Sequence, residues 1–205
     1  MTITVDSKLV SLASQFTNRY APYHMVRIEP HRSGGALVMS TDRGAAIFIG
    51  HDPNAEIDNP VNLVVSKELA TACNGVKNKT RLVEINDVTA IVTTYNKTSG
   101  SQVKELPVVH SQMEFPPVLG VVQAAIERWD VVPRLSETAG RYDTSLLLAA
   151  LRAMAHEDSL CLSAFDGGPL RLQADDGSCL VLLAPQTATE LPGVPPWLVS
   201  AVASG

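Results

Sequence analysis

Aromatic and charged residues are scarce in this sequence, and so are cysteines. Aromatics make up only 5% of the 205 residues, so a core must be built from aliphatic side chains, which the 45% hydrophobic content readily supplies. The three cysteines lie far apart, and no CxxC or CxxH spacing indicates a zinc site or a disulfide framework. A formal net charge of −5 excludes a globally basic nucleic-acid coat but leaves room for a locally basic face.

Signals for membrane insertion and secretion are also missing. No apolar run approaches the length of a transmembrane helix. The first residues, MTITVDSKLV, show neither the basic nor the apolar region of a signal peptide. We therefore expect a cytoplasmic protein that has no membrane partner.

Sequence motifs of enzymes are missing as well. The chain contains no GxSxG, P-loop, GxGxxG or HExxH motif, and no two of its five histidines are spaced by two or four residues. The adjacent pair His51-Asp52 falls in a predicted loop, where a solvated role is favoured over a catalytic one. We therefore expect a non-enzymatic protein with no catalytic residue, no metal and no cofactor. An enzyme with an unrecognised site remains an alternative.

What the sequence does contain is a repeated pattern. An amphipathic helix followed by three strand-like runs occurs at about residues 7–50, 66–109 and 144–184. The first helix is predicted over residues 7–20 with Ser7 as its N-cap, the second follows Ser66, and a further helix spans residues 118–129. This order predicts an α+β fold in which antiparallel sheets carry the helices on one face.

The run LVMSTDRGAAIFI, at residues 37–49, breaks two apolar strands with a polar step. Asp42 and Gly44 are residue types that favour a tight turn, so the step STDRG is predicted to join two neighbouring strands of one sheet. We interpret it as a feature of the fold and not as a reactive site.

The order of several segments resembles the bacterial and phage DNA polymerase III β sliding clamps. ALVMSTDRGAAIFIG carries the family's Thr-Asp step as Thr41-Asp42, and the remaining matches are VNLVVSKELATACNGVKN, RLVEINDVTAIVTTYN, ELPVVHSQMEFPPV, RYDTSLLLAALRAM and PLRLQADDGSCLVLLAPQ. The resemblance implies a DNA clamp-like fold with a domain of two units at residues 1–117, a truncated second domain at 118–187 and a tail at 188–205. Residues 130–143 are too few for three strands, so one unit would be degenerate or missing.

Each predicted helix carries basic residues away from its apolar stripe. If the helices line one surface, these residues would meet the phosphates of duplex DNA without reading its sequence. An ordinary solvated helix face is the alternative. The DNA-facing candidates are Lys8, Arg19, Lys67, Lys77, Lys79, Arg128 and Arg152.

The resemblance also implies partners and a second site. It implies a homo-oligomeric replication processivity factor that binds double-stranded DNA and replication proteins such as a polymerase. In the family, polymerases dock a short apolar peptide in a groove formed partly by the last strand. This carries over to Leu182, Ala184, Pro185 and Gln186, for which plain strand core is the alternative. The alternative function is a clamp-fold accessory or phage protein that no longer encircles DNA and acts as a protein-interaction module through a sheet edge or through residues 195–199.

Overall fold

The computed structural model describes residues 2–74, 80–96, 100–129, 141–155, 157, 159–164 and 168–186. In chain order the elements are β1 (Ile3–Asp6), α1 (Ser7–Ser14), β2 (Val26–Pro30), β3 (Ala36–Asp42), β4 (Ala46–Asp52), β5 (Val61–Val64), α2 (Lys67–Cys73), β6 (Thr80–Ile85), β7 (Thr89–Asn96), β8 (Gly100–Pro107), β9 (Val109–His110), α3 (Val118–Trp129), α4 (Thr144–Ala153), β10 (Leu160–Ser163), β11 (Leu170–Ala174) and β12 (Cys179–Leu183). None of the helices formed by these residues is long and apolar enough to cross a membrane.

The predicted repeat of one helix and three strands is confirmed. It appears as α1 with β2–β4, α2 with β6–β8, and α4 with β10–β12. The first two units are each preceded by a strand that pairs with the other unit, since β1 pairs with β6 and β5 pairs with β2. This reciprocal exchange joins the two units into one body with two antiparallel sheets, which confirms the α+β class.

The strands form a four-stranded sheet in the order β1-β6-β7-β8 and an eight-stranded sheet in the order β10-β11-β12-β4-β3-β2-β5-β9. The third unit enters the larger sheet through β12, which pairs antiparallel with β4 and sets Val181 opposite Phe48 and Leu182 opposite Ile47. The sheet of the first unit and the sheet of the third are therefore continuous.

Both faces of the larger sheet are apolar, and different helices cover them. Successive side chains of a strand point to opposite faces. Phe48 and Val181 share a buried cluster with residues of α1 and α4, whereas their neighbours Ile47 and Leu182 share a second cluster with α3. The prediction that the helices lie on one face therefore holds for α1 and α4 but not for α3. Strands that are apolar at consecutive positions need cover on both sides.

The first helix differs from its prediction at both ends. It is capped by Asp6, not Ser7, because the Asp6 carboxylate accepts the Lys8 N–H at 2.8 Å. The helix stops at Ser14, and the hydroxyl of Ser14 donates to a backbone carbonyl of the preceding turn at 2.7 Å. Such local bonds compete with helix continuation. Phe16, just beyond, stacks on Phe48 at 5.8 Å between ring centroids.

The pair His51-Asp52 was predicted in a loop and lies instead at the end of β4. The Asp52 carboxylate accepts the N–H of Asp6 at 2.7 Å and the N–H of Asn54 at 2.9 Å. Asp52 therefore ties the end of β4 to the start of α1.

Candidate peptide groove and helix surface

A cavity of about 240 Å³ opens between α3, β4 and β12. Its floor is formed by Ile47, Ala125 and Leu182, which are all buried. The residues around this floor are Gly44, Val121, Ala124, Gly168, Pro169, Ala184 and Pro185. We call this cavity the α3 groove.

The pairing of β12 with β4 builds the α3 groove. Leu182 and Ile47 are register partners, so their side chains lie side by side on the sheet face that α3 covers. The pairing continues one step past β12, where Ala184 N–H donates to Ala45 carbonyl oxygen at 3.0 Å. Pro185 has no N–H to donate, so the chain leaves the sheet at the groove wall.

The turn between β3 and β4 supplies another part of the wall. Gly44 adopts a φ of +77°, a backbone conformation that side chains disfavour, and its N–H donates to the Thr41 hydroxyl at 3.0 Å. Asp42 accepts the Ala45 N–H at 2.8 Å through its carbonyl oxygen. The predicted tight turn therefore forms at residues 43–45, whereas the first three residues of the STDRG step belong to β3. The structure also places Gly44 at the groove.

Three of the four residues predicted for a peptide groove, Leu182, Ala184 and Pro185, line the α3 groove. Gln186 does not: its N–H donates to the Arg141 carbonyl oxygen at 2.7 Å and its side chain amide to the Asp143 carboxylate at 3.4 Å. Sequence reasoning missed the contributions of α3. The available signal was the apolar character of residues 118–126 beyond one helical stripe.

The chemistry of the α3 groove is that of an uncharged apolar slot. All of its lining residues are aliphatic, glycine or proline. Val121 is 55% exposed at the rim, so the slot presents apolar surface to solvent. The volume lies below the roughly 300–1,000 Å³ typical of small-molecule pockets, which fits a few apolar side chains of a peptide.

The basic candidates are placed differently from one another. Lys67 is exposed at the start of α2, and Arg152 is exposed near the end of α4. Arg19 lies beyond α1, where its guanidinium stacks on Tyr20 at 4.7 Å from the ring centroid and donates to the Tyr20 hydroxyl at 2.6 Å. The placement of Arg19 on a helix face was therefore wrong, because α1 ends before it.

Lys8 is committed to an ion pair within the fold. Its ammonium group donates to the Glu157 carboxylate at 2.5 Å, with the two side chains 30% and 10% exposed. Burial lowers the pKa of Lys8, but the hydrogen bond and the charge of Glu157 outweigh it and raise that pKa above the ordinary 10.5. This bond joins α1 to the segment after α4.

Lys77 and Lys79 fall outside the described residues, and so does the side chain of Arg128. The backbone of Arg128 belongs to α3, on the sheet face opposite α1 and α4. Of the DNA-facing candidates, Lys67 on α2 and Arg152 on α4 are therefore exposed on helices other than α3.

The described part of the chain contains no cluster of metal ligands, and two of its three free thiols, Cys73 and Cys179, are buried. There, no group of three or more His, Cys, Asp or Glu side chains is arranged to hold a metal ion. Burial is the main cause that raises the pKa of the Cys73 thiol to about 12 and that of Cys179 to about 11. Both thiols are therefore neutral near pH 7 and poor nucleophiles.

Comparison with known proteins rests on structure alone. No protein-family profile matches the sequence, and no match is found among curated protein sequences. The fold is similar to DNA polymerase III subunit beta from Borrelia burgdorferi, with a TM-score of 0.57 and 11% identity over 92% of this chain and 63% of that one. It is similar to the DNA polymerase III beta subunit from Thermotoga maritima, with a TM-score of 0.59 and 11% identity over 95% of this chain and 68% of that one.

The fold is also similar to proliferating cellular nuclear antigen from Entamoeba histolytica, with a TM-score of 0.55 and 9% identity over 91% of this chain and 98% of that one. The chain thus spans less than two thirds of the Borrelia subunit, at 63%, and about the whole length of the Entamoeba protein, at 98%. The order of the strands in the sheets, the exchange of strands between the first two units and these matches lead to one conclusion: the chain has the fold of the sliding DNA clamps.

Proposed function

We propose that this chain is a sliding-clamp-like replication factor that has no enzymatic activity and docks an apolar peptide of a partner, such as a polymerase, in the α3 groove. The α3 groove carries the proposal: within a clamp fold, β12 joins β4 and leaves an uncharged slot with Val121 exposed at its rim. Burial of a few apolar side chains there would stabilise the complex by about 25 cal/mol per Å² of apolar surface removed from water.

The groove proposal can be tested with two matched variants on α3. Val121 and Ile126 are β-branched and 55% and 51% exposed, but only Val121 lines the α3 groove. The probe is a panel of fluorescein-labelled pentapeptides that contain two or three Leu, Phe or Trp residues, measured by fluorescence anisotropy. We expect Val121→Asp to weaken binding at least about tenfold, roughly 1.4 kcal/mol, and Ile126→Asp to change it less than about twofold. Binding that is undetectable, or equally sensitive to both substitutions, contradicts the proposal.

The DNA-binding part of the proposal rests on Lys67 and Arg152. Contacts from exposed cations to phosphates are independent of sequence and sensitive to salt. We expect Lys67→Glu combined with Arg152→Glu to weaken retention on circular duplex DNA and to lower the slope of log affinity against log salt by about 1.8. The control pair, Arg32→Glu with Arg43→Glu, changes the net charge equally at exposed positions of two turns. If both pairs of substitutions weaken DNA retention equally, the loss reflects the change in net charge and the assignment of Lys67 and Arg152 is refuted.

Encirclement of DNA further requires that copies of the chain join. The strand β8 ends the smaller sheet and is exposed along nearly all of its length, as expected of an edge that receives another strand. In the first unit the equivalent strand, β4, is already covered by β12. We expect an oligomer of ring size in light scattering and a central hole in the solution-scattering envelope.

The alternative is a clamp-fold interaction module that does not encircle DNA. One observation favours it: the ammonium group of Lys8, a DNA-facing candidate, is bound to the Glu157 carboxylate within the fold. A monomer in light scattering, together with peptide binding that depends on Val121 and DNA retention that is insensitive to Lys67 and Arg152, would select this function over the first.

A further inference from the structure

The outer edge of β8 carries no further strand from the described residues, although the other end of the same sheet is covered. At that other end, Thr4 of β1 exchanges backbone hydrogen bonds with Glu56 at 3.1 and 3.0 Å. The strand β8 pairs with β7 along all of Gly100–Pro107, and every residue of β8 except Leu106 is exposed. An edge of this length attracts another strand, because its outward N–H and C=O groups offer a ladder of hydrogen bonds.

The backbone groups that β8 directs outward belong to its odd-numbered residues. Val108, one step beyond β8, donates its N–H to the Val88 carbonyl oxygen at 3.0 Å and so faces the side of β7. Successive residues of an antiparallel strand face their partner and the opposite side in turn. The residues that face the free edge are therefore Ser101, Val103, Glu105 and Pro107. Because Pro107 has no N–H, a ladder added to this edge ends at Leu106.

The chain itself contains one example of how such an edge is paired. The strands β4, β8 and β12 are the last strands of the three units, and β4 pairs antiparallel with β12. Of these three last strands, β8 is the one whose outer edge meets no other strand within the described ranges. A second copy of the chain offers the same strand in the same state.

A two-fold contact between two β8 strands permits few registers. Directly opposed residues share a face of the sheet, so a two-fold axis sets one residue opposite its own copy. Lys104 or Glu105 at the axis would set like charges directly opposite each other, which is destabilising. Gln102 at the axis would shorten the described ladder to residues 100–104. Val103 at the axis pairs residues 100–106 and stops just before Pro107.

The register centred on Val103 also matches the side chains of the two strands. Val103, 66% exposed in the single chain, packs against Val103 of the second copy. Lys104 lies opposite Gln102 of the second copy, whose amide oxygen can accept from the ammonium group. Glu105 lies opposite Ser101 of the second copy, whose hydroxyl can donate to the carboxylate. No two like charges are directly opposed in this register.

From this self-complementarity we propose that β8 pairs antiparallel with β8 of a second copy around a two-fold axis at Val103. The two smaller sheets then form one continuous sheet. The inference rests on the oligomer proposed above and specifies the contact that joins its copies. A two-fold contact joins copies in pairs, so a ring that contains it has an even number of copies.

Disulfide cross-linking tests the register on the full chain in a Cys161→Ser background, which removes the exposed thiol. Directly opposed residues have Cα atoms about 4.5–5.5 Å apart, within the range that a disulfide spans. With oxidised glutathione as oxidant, we expect Val103→Cys to form a covalent dimer. Ser101→Cys alone should not, because its two copies would lie about 14 Å apart along the strands. A mixture of Ser101→Cys with Glu105→Cys should cross-link.

A charge exchange at the axis tests the same contact without a covalent bond. Val103→Lys and Val103→Glu each set like charges opposite each other and should each raise the dissociation constant of the dimer at least about tenfold. An equimolar mixture of the two variants should restore association. The control is Val88→Lys, 69% exposed in the turn between β6 and β7, which should leave the constant unchanged. Sedimentation velocity over a range of concentrations measures all four samples.

The outcomes separate this inference from the proposed function. An oligomer in which Val103→Cys does not cross-link, or cross-links only with Leu162→Cys on the edge strand β10, overturns the two-fold contact and leaves encirclement of DNA standing. A ring of three copies does the same, and so does association that Val103→Lys leaves unchanged. A monomer at every concentration refutes both the contact and encirclement.

Discussion

Replacing Lys8 with methionine is expected to destabilise the fold and to leave DNA retention unchanged. The Lys8 ammonium is 2.5 Å from the Glu157 carboxylate, and the two side chains are 30% and 10% exposed. Exposed ion pairs contribute about 0.2–1 kcal/mol, whereas loss of one partner of a buried pair costs about 3–5 kcal/mol. This pair lies between those limits, so we expect Lys8→Met to cost about 2 kcal/mol, or roughly 4–8 °C in Tm for a chain of this size.

A double-mutant cycle with Glu157→Gln isolates the interaction between the two side chains. The double variant should be more stable than the sum of the single losses predicts, because it leaves no uncompensated carboxylate in a nearly buried position. Urea unfolding gives the four free energies at pH 7. The matched control is Lys67→Met, an exposed lysine on a helix, which should cost less than about 0.5 kcal/mol.

The pH dependence gives the same interaction a second signature. A lysine whose pKa is raised on folding contributes stability that is fully present below its ordinary value of 10.5 and is lost as pH rises through the folded value. The difference in free energy of unfolding between the unmodified chain and Lys8→Met should therefore stay constant up to about pH 10.5 and shrink as the pH rises further. A coupling energy below about 0.3 kcal/mol, or normal stability combined with weaker DNA retention, would refute the ion-pair assignment and return Lys8 to the DNA-facing set.

Three other changes have expected outcomes. Ser40→Ala removes the buried hydroxyl that donates to Ala13 carbonyl oxygen at 2.6 Å, and should cost about 1–2 kcal/mol in urea unfolding. Gly35→Ala places a Cβ 2.1 Å from a carbonyl oxygen at the end of β4 and should lower the Tm much more than Gly34→Ala, which has a similarly positive φ but open space. Burial is the main cause that raises the pKa of Asp6 above 3.8. Ionisation of Asp6 therefore lowers the stability of the fold as the pH rises from 3.8 through the pKa of the folded state. Asp6→Asn keeps a capping oxygen, and its stability relative to the unmodified chain should be greater at pH 7 than at pH 3.5 in thermal melts.

Local patterns in the sequence were enough to predict most of the elements. Ser66 caps α2 by accepting the Leu69 N–H at 3.1 Å, as its position before the helix predicted. The Asn86-Asp87 step joins β6 to β7 as a hairpin, and the Asn86 side chain accepts the N–H groups of Val88 and Thr89. Caps and turns depend on a few neighbouring residues, so their chemistry is readable along the chain.

Two elements show where local patterns were insufficient. The strand β1 was not predicted, although Ile3 and Val5 alternate with polar residues, because four residues carry too weak a periodic signal. The extent of α1 was overestimated, because its apolar spacing continues to Phe16 after the helix has ended. Phe16 is buried because it stacks on Phe48, although it lies outside the helix. Its spacing from the apolar residues of α1 is nevertheless that of a helix, so the sequence pattern alone does not reveal where the helix ends.

The sequence by itself determined the three helix-and-strand units, the turn at STDRG and the apolar character of β3, β4 and β12. Only the tertiary structure decided which helix covers which face, that β12 docks on β4, and that Lys8 meets Glu157, a partner 149 residues away. Periodicity predicts that a side chain is buried but not which residues it packs against. In the same way, a strand that is apolar on both faces does not specify which helix covers each face. The α3 groove depends on the pairing of β12 with β4, and Lys8 is neutralised by its ion pair with Glu157. Both contacts join residues that are distant in sequence, so they depend on how the whole chain packs.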